Sequence, residues 1–334
     1  MVQHLAVEPE QSGMQLDEFL ARAFPEVKKS FLRGAVRAGR VSINGEPVYA
    51  SHRLRENDVI GLELDEDELA EHEQSVVELE EPLVLLREDE HVIAIDKPSG
   101  LAVEPERDVM RPSLLGGLVE LSRSRGAGIA GRGEFRPRLV HRLDKETSGV
   151  VLFAKTLEAE QKLREGFDGG TIRKEYLALV EGEHPLLDGE SAVIDYPIGG
   201  DRRKSGLMCV TDEGKPARTE ISVAERFRGY TLLRARPLTG RTHQIRVHLS
   251  HEGFPLAVDP FYGRQRALLL SQLKNDYRKK RGEEERPLID RTTLHAAAIE
   301  YEGVDGARVR VEAPLPKDFS RALKQLAKVR PHRR

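Results

Sequence analysis

Residues 138–156 read RLVHRLDKETSGVVLFAKT, and the two halves of that stretch demand different surroundings. Val150-Val151-Leu152-Phe153-Ala154 is an unbroken apolar run of strand length, which predicts a buried strand. Just before it stand Arg142, Asp144, Lys145 and Glu146, charges that a buried strand does not hold. The switch places them on a loop at a sheet edge, where sites are commonly built. Taken alone, Asp144 between Arg142 and Lys145 also reads as an ordinary surface ion-pair cluster.

Outward from this stretch the pattern mixes strands with a few helices. Val84–Leu86 and Val92–Ile95 are short apolar strands around an acidic turn. Thr156 is placed to cap a helix running to about Phe167, closed by Gly169-Gly170. Ile172, Lys174, Tyr176, Ala178 and Val180 alternate along a further strand. Residues 264–291 are densely charged and are expected to form a helical insertion. From 316 onward a tail starts amphipathic and ends Lys328-Val329-Arg330-Pro331-His332-Arg333-Arg334.

On the other side, residues 63–81 hold ten acidic residues and no Lys or Arg. Such a stretch has little to bury and reads as a solvated linker over 65–81. The chain's net charge is −3, so without those ten charges the rest stands at +7. Ahead of the linker, residues 14–64 make a small module. Leu16, Phe19, Leu20 and Ala23 recur at helical spacing, Pro25 breaks that helix, and a second runs from about Lys28 to Ala38 before Gly39. Val41-Ser42-Ile43 alternates like a strand, Asn44-Gly45 is a tight-turn signal, and Val59–Leu64 reads as another strand. Lys29, Arg33 and Arg37, four apart, form one basic stripe on the second helix. A solvated face is the plain reading of such a stripe. The excess of one sign favours contact with phosphates.

Composition narrows the class. Of 334 residues, 39% are hydrophobic and 33% charged, and no apolar run approaches the ~20 residues of a membrane span. Cys209 is the only cysteine, which excludes an internal disulfide and a multi-cysteine zinc site and suits a reducing cytoplasm. The N-terminus has neither a basic start nor an apolar core of a secretion signal.

The stretch at 138–156 closely resembles the signature of the RluA family of pseudouridine synthases. Further stretches follow in that family's order: DEHVIAIDKPSGLAV, RKEYLALVEG, LTGRTHQIRVHL, GFPLAVDPFYG and LHAAAIEYEG. The segment LDEFLARAFPEVKKSFLRGAVRAGRVSINGEPV resembles the S-four-type RNA-binding domain. It departs from that pattern at Gln15, at Lys29-Ser30 and at Asn57-Asp58. A second departure is Glu104, where the pseudouridine synthase family has His, and it is expected to alter loop packing only.

The resemblance implies an α+β chain: an RNA-binding module at 14–64, the linker, a catalytic domain at 82–315 on a mixed, largely antiparallel sheet, and the tail at 316–334. It implies isomerisation of uridine to pseudouridine in RNA by a cytoplasmic monomer, with ribosomal RNA of the large subunit favoured and transfer RNA second. Because isomerisation gains and loses no atoms or electrons, no cofactor and no metal are expected. Asp144 is implied as the catalytic carboxylate. Arg241 is implied as the cation that keeps it charged, and Tyr176 as the ring that stacks on the uracil and helps take the proton from carbon 5. Arg142 is implied to fill the gap left by the flipped base. Arg202, Arg203 and Lys204 read as a basic loop and a candidate phosphate contact, with an ordinary exposed loop as the plain alternative. His141, His243, His248, His251 and His295 read as structural or RNA-contacting, those at 243–251 lying in strand-like sequence, and a metal hydrolase built on them is the weaker reading. A non-catalytic RNA-binding or ribosome-assembly protein is the remaining alternative, and the intact HRLDKETSG string argues against it.

Overall fold

Helical spacing near the N-terminus produces the expected packing in a computed structural model of the chain. The structure describes residues 3–7, 12–24, 27–64, 68, 79–104, 112–125, 135, 137–274, 276–278 and 284–332. Helix α1 (Leu16–Ala23) buries Leu16, Phe19, Leu20 and Ala23, and α2 (Lys29–Arg37) buries Leu32, Ala35 and Val36. Both pack on a four-stranded sheet in the order β1 (Gln3–Ala6), β4 (Val59–Leu62), β2 (Val41–Ile43), β3 (Glu46–Pro47). Asn44 and Gly45 turn β2 into β3 with φ of 54° and 86°, the left-handed pair that a two-residue hairpin needs. Strand β1 lies ahead of the expected module and pairs antiparallel with β4. Most of the acidic linker falls outside the described residues.

Two clustered units divide the chain. One comprises Met1–Pro82, Glu104–Leu139 and Ala154–Glu160; the other comprises Leu83–Val103, Val140–Phe153 and Gln161–Arg334. Beyond the N-terminal module, the first contains β7 (Arg138–Leu139) and α3 (Leu114–Ser124), which Ser113 caps by accepting from the Gly116 amide. Thr156 accepts from the Ala159 amide at 3.3 Å, as its place before α4 (Leu157–Asp168) predicts.

The large sheet runs along one path. Its order is β10 (Ser191–Asp195), β13 (Arg218–Phe227), β14 (Tyr230–Pro237), β9 (Arg173–Glu181), β15 (Leu294–Glu302), β8 (Ser148–Ala154), β6 (Val92–Lys97) and β5 (Val84–Glu88). Strand β16 (Arg308–Glu312) pairs beside β15, and β11 (Ile198–Gly200) with β12 (Met208–Val210) forms a separate hairpin. Every residue of β8 is buried. It pairs parallel with β15, whereas β9, β13 and β14 pair antiparallel with their neighbours. Gly149 sits at that parallel contact with φ 116°. A Cβ there would lie 2.2 Å from the Ala296 carbonyl oxygen, so only glycine fits.

Two expectations are corrected here. The charged stretch 264–291 is not a helical insertion: among its described residues the only helix is the single turn α6 (Leu270–Leu273), and Leu268 and Ile289 bridge as extended backbone. Residues 243–251 are not strand-like, because Gln244–His251 forms helix α5. The basic tail, in turn, forms α7 (Lys317–Val329), which packs Phe319, Ala322 and Leu326 against Leu268, Leu273, Leu288 and Ile289.

Candidate active site

The loop before β8 is pinned from several directions. Half-buried His141 accepts the Leu152 amide on Nε2 at 2.9 Å, and its ring lies 4.7 Å from that of Phe167. Enclosure of that ring, followed by the charge of Lys174, pushes the imidazole down to about 3, so it stays neutral and the acceptor is permanent. The Thr147 amide closes a turn on the Asp144 carbonyl at 3.0 Å. From the end of β6, fully buried Lys97 donates to the carbonyls of Pro98, Leu101 and Lys145 at 2.8–2.9 Å. Burial pushes the Lys97 amine down to about 7, against the pull of Glu146 and Asp144. Ser99 donates to the Glu146 carbonyl at 2.7 Å.

The Asp144 carboxylate, 25% exposed, opens into a cleft of about 980 Å3. That is ample for one nucleotide. Val140, Arg142, Lys174, Tyr176, Arg241 and Arg246 are among the residues of its wall. The cation beside Asp144 is Arg246, whose Nη1 lies 3.3 Å from Oδ2. Its Nε and Nη2 grip Asp259 at 2.7 and 2.8 Å in a fork. Burial opposes the Arg246 charge, but the bonds and charge of Asp259 and then of Asp144 outweigh it and raise its pKa. The guanidinium is therefore permanently charged, with Asp259 as its anchor and Asp144 as the partner facing the cleft.

Arg241 lines the same cleft but does not pair with Asp144. Its Nε donates to the Pro216 carbonyl at 3.0 Å and its amide to Gln244 Oε1 at 3.0 Å. The pairing implied for Arg241 thus falls to Arg246, five residues on. The physical reason is the helix: Arg246 lies inside α5 with its side chain 2% exposed, aimed between Asp144 and Asp259.

Tyr176 enters from β9. Burial, reinforced by the negative charge of Asp144, raises the pKa of its hydroxyl, which therefore stays protonated at neutral pH. Tyr176 is among the residues of the cleft wall, where its ring is suited to stacking. His243 precedes α5 in the left-handed region, φ 56°, a conformation costly for a side-chain-bearing residue. Its Nε2 is 4.0 Å from Asp144 Oδ1, and Nδ1 is 2.7 Å from the Tyr262 hydroxyl. Burial lowers its pKa despite the opposing charge of Asp144.

The remaining candidates lie elsewhere. Lys29 and Arg33 both reach Asp17, at 3.5 and 2.6 Å, so the stripe on α2 is partly answered by an acid from α1; Arg37 ends that helix. Arg202 pairs with Glu213, and neither it nor Arg203 nor Lys204 belongs to the cleft wall. Exposed Glu104 is not part of that wall either. His248 bonds Thr219 and the Tyr196 carbonyl, and His295 bonds Ser148 and the Ala313 carbonyl, as structural histidines do. No group of residues able to hold a metal ion occurs among the described residues. No helix among the described residues is long and apolar enough to cross a membrane. Arg246, Asp259, Lys97 and Tyr262 were not singled out from sequence, although each lies inside a stretch quoted for the family resemblance.

Residues 91–251 match the family model for RNA pseudouridylate synthase, and residues 14–60 match the S4 domain. The chain is 35% identical to ribosomal large subunit pseudouridine synthase D of Pseudomonas aeruginosa, over 96% of this chain and 94% of that one. It is 33% identical to ribosomal large subunit pseudouridine synthase C of Escherichia coli, over 98% of each. Among solved structures, human RNA pseudouridylate synthase domain containing 4 superposes with a TM-score of 0.56 at 25% identity, covering 72% of this chain and 92% of that one.

Proposed function

The chain belongs to the RNA pseudouridylate synthase family, enzymes that isomerise uridine in RNA, and we infer that its substrate is large-subunit ribosomal RNA with Asp144 as the carboxylate that drives the reaction. The substrate rests on the names of the full-length relatives. The role of Asp144 rests on one observation: it is the carboxylate of the cleft bonded to a buried, permanently charged guanidinium.

The chemistry follows from that placement. Extruding the uridine from its stack costs a few kcal/mol. Arg142, an exposed residue of the cleft wall, fills the vacated position with its planar guanidinium. Asp144, held beside Arg246, meets the anomeric carbon as the bond to nitrogen 1 breaks, either as nucleophile or as the charge that stabilises the sugar cation. Tyr176 holds the freed uracil by stacking while it turns. Carbon 5 then bonds to the sugar, the carbon 5 proton leaves, and nitrogen 1 gains one. Lys29, Arg33, Arg37, Arg202, Arg203 and Lys204, with Arg241 in the cleft wall, contact the RNA backbone. Ribosomal RNA as substrate supports a cytoplasmic location.

Tritium release from RNA carrying 5-tritiated uridine tests the assignment. Asp144→Asn is expected to abolish release while circular dichroism and urea melting stay at wild type. Full activity in that variant overturns the role of Asp144. Mapping pseudouridine in total RNA from cells with and without the gene tests the substrate.

A further inference from the structure

We propose that Phe261 is a stacking platform for an unpaired RNA base beside the flipped uridine, an inference that rests on the RNA substrate argued above. The loop Asp259-Pro260-Phe261-Tyr262-Gly263 is rigidly built. Asp259 Oδ1 accepts the amides of Phe261 and Tyr262 at 2.9 and 3.1 Å, and its carbonyl accepts that of Gly263 at 3.1 Å. A Cβ on Gly263 would lie 2.8 Å from that carbonyl, so the turn has no slack. The Tyr262 hydroxyl is fixed in turn by His243 and by the Met208 amide.

On this mount Phe261 is 52% exposed. A single exposed apolar side chain is unremarkable on a protein surface. Its position is what gives it meaning. Arg246 Cζ stands 5.7 Å from the Phe261 ring centroid and 5.0 Å from that of Tyr262. Arg246 in turn bonds Asp144. Phe261 is not itself part of the cleft wall; it stands against the guanidinium that bonds Asp144, with about half of its surface open to solvent, on a loop held by the same Asp259 that anchors the arginine. Flipping a base leaves its neighbours without a stacking partner. A rigid aromatic ring at that point replaces the lost stack with little ordering cost, and it accepts any of the four bases, because each has a π-face.

The chain contains no tryptophan, so Phe261→Trp introduces its sole indole. In an Asp144→Asn background, which prevents turnover, substrate RNA is expected to quench that emission. Leu187→Trp, likewise exposed but on a loop remote in sequence from the Arg246–Asp144 pair and its Asp259 anchor, serves as control and stays unquenched. In the active enzyme, Phe261→Tyr and Phe261→Trp keep KM near wild type. Phe261→Leu and Phe261→Ala raise KM at least about fivefold, the lower end for losing one stacked base, with a smaller effect on kcat. Leucine still covers Arg246, so wild-type KM in Phe261→Leu assigns the ring to mere shielding and overturns the proposal. Indole emission unmoved by RNA overturns it as well. A wild-type enzyme that forms no pseudouridine in any RNA defeats the functional assignment instead, and the quenching result stands apart from it.

Discussion

Replacing Arg246 with lysine separates two arginines that the sequence does not distinguish. Arg246 makes three bonds at once: the 2.7 and 2.8 Å fork on Asp259 and the 3.3 Å contact with Asp144. An ammonium is a point charge without the fork, so it cannot hold both carboxylates. Asp259 is fully buried, 0% exposed, and stranding it costs several kcal/mol; Asp144, at 25%, still reaches water. The lysine cation therefore stays with Asp259 and Asp144 loses its donor. A hydrogen bond to a charged group contributes about 1.5–3 kcal/mol. If that contribution is needed in the transition state, the single-turnover rate falls about 10- to 150-fold. Within the protein, Arg241→Met removes the bond to the Pro216 carbonyl, worth about 1 kcal/mol, and the RNA contact it also removes is masked when enzyme is saturating. At saturating enzyme its rate should fall far less. Tritium release under single-turnover conditions reads both, with urea melting as the check on folding. A folded Arg246→Lys enzyme within twofold of wild type, or a larger loss from Arg241→Met, refutes the assignment of Arg246 to Asp144.

Stability should fall with acid through two neutral histidines. Burial lowers His141 to about 3, helped by the charge of Lys174. It lowers His295 to about 4, where the Ala313 carbonyl opposes and the Arg291 charge assists. The unfolded chain protonates both near 6.5. Between pH 6.5 and 4 it therefore binds more protons than the fold, and stability drops as pH falls, by up to about 1.4 kcal/mol per unit for each histidine. Urea melts from pH 7.5 to 5 read this, and His295→Asn should flatten part of the slope; an unchanged slope contradicts it. The C-terminal helix should matter to the fold as well. Arg291 forks onto Asp318 of α7 at 2.7 and 2.9 Å and donates to Ser148 at the start of β8 at 3.1 Å. Asp318→Ala is expected to cost about 1–3 kcal/mol in urea melting, whereas a solvated tail would show no change.

How much of this was legible in the sequence depended on burial. Helices α1 and α2 carry a 3.6-residue stripe because one side faces solvent, and the Asn44-Gly45 turn is written in residue type. Strand β8, buried along its whole length, was still readable because the five-residue apolar run Val150–Ala154 has strand length and the charged loop marks its start. Helix α5 offered no such signal. Its residues Gln244, Ile245, Arg246, Val247, His248 and Leu249 are all buried, so apolar and polar types alternate without a solvent face. That alternation imitates a strand. The stretch 264–291 misled in the opposite sense: its charges report solvent contact, which irregular backbone has as readily as helix. The cation of the active site was hidden for the same reason that it works. Burying a guanidinium in a dry pocket is costly unless carboxylates pair with it; here a second one, Asp259, anchors it, and that partner lies 13 residues away on a different turn of chain. Spacing can suggest an arginine near Asp144, but only the fold determines which one has the second acid.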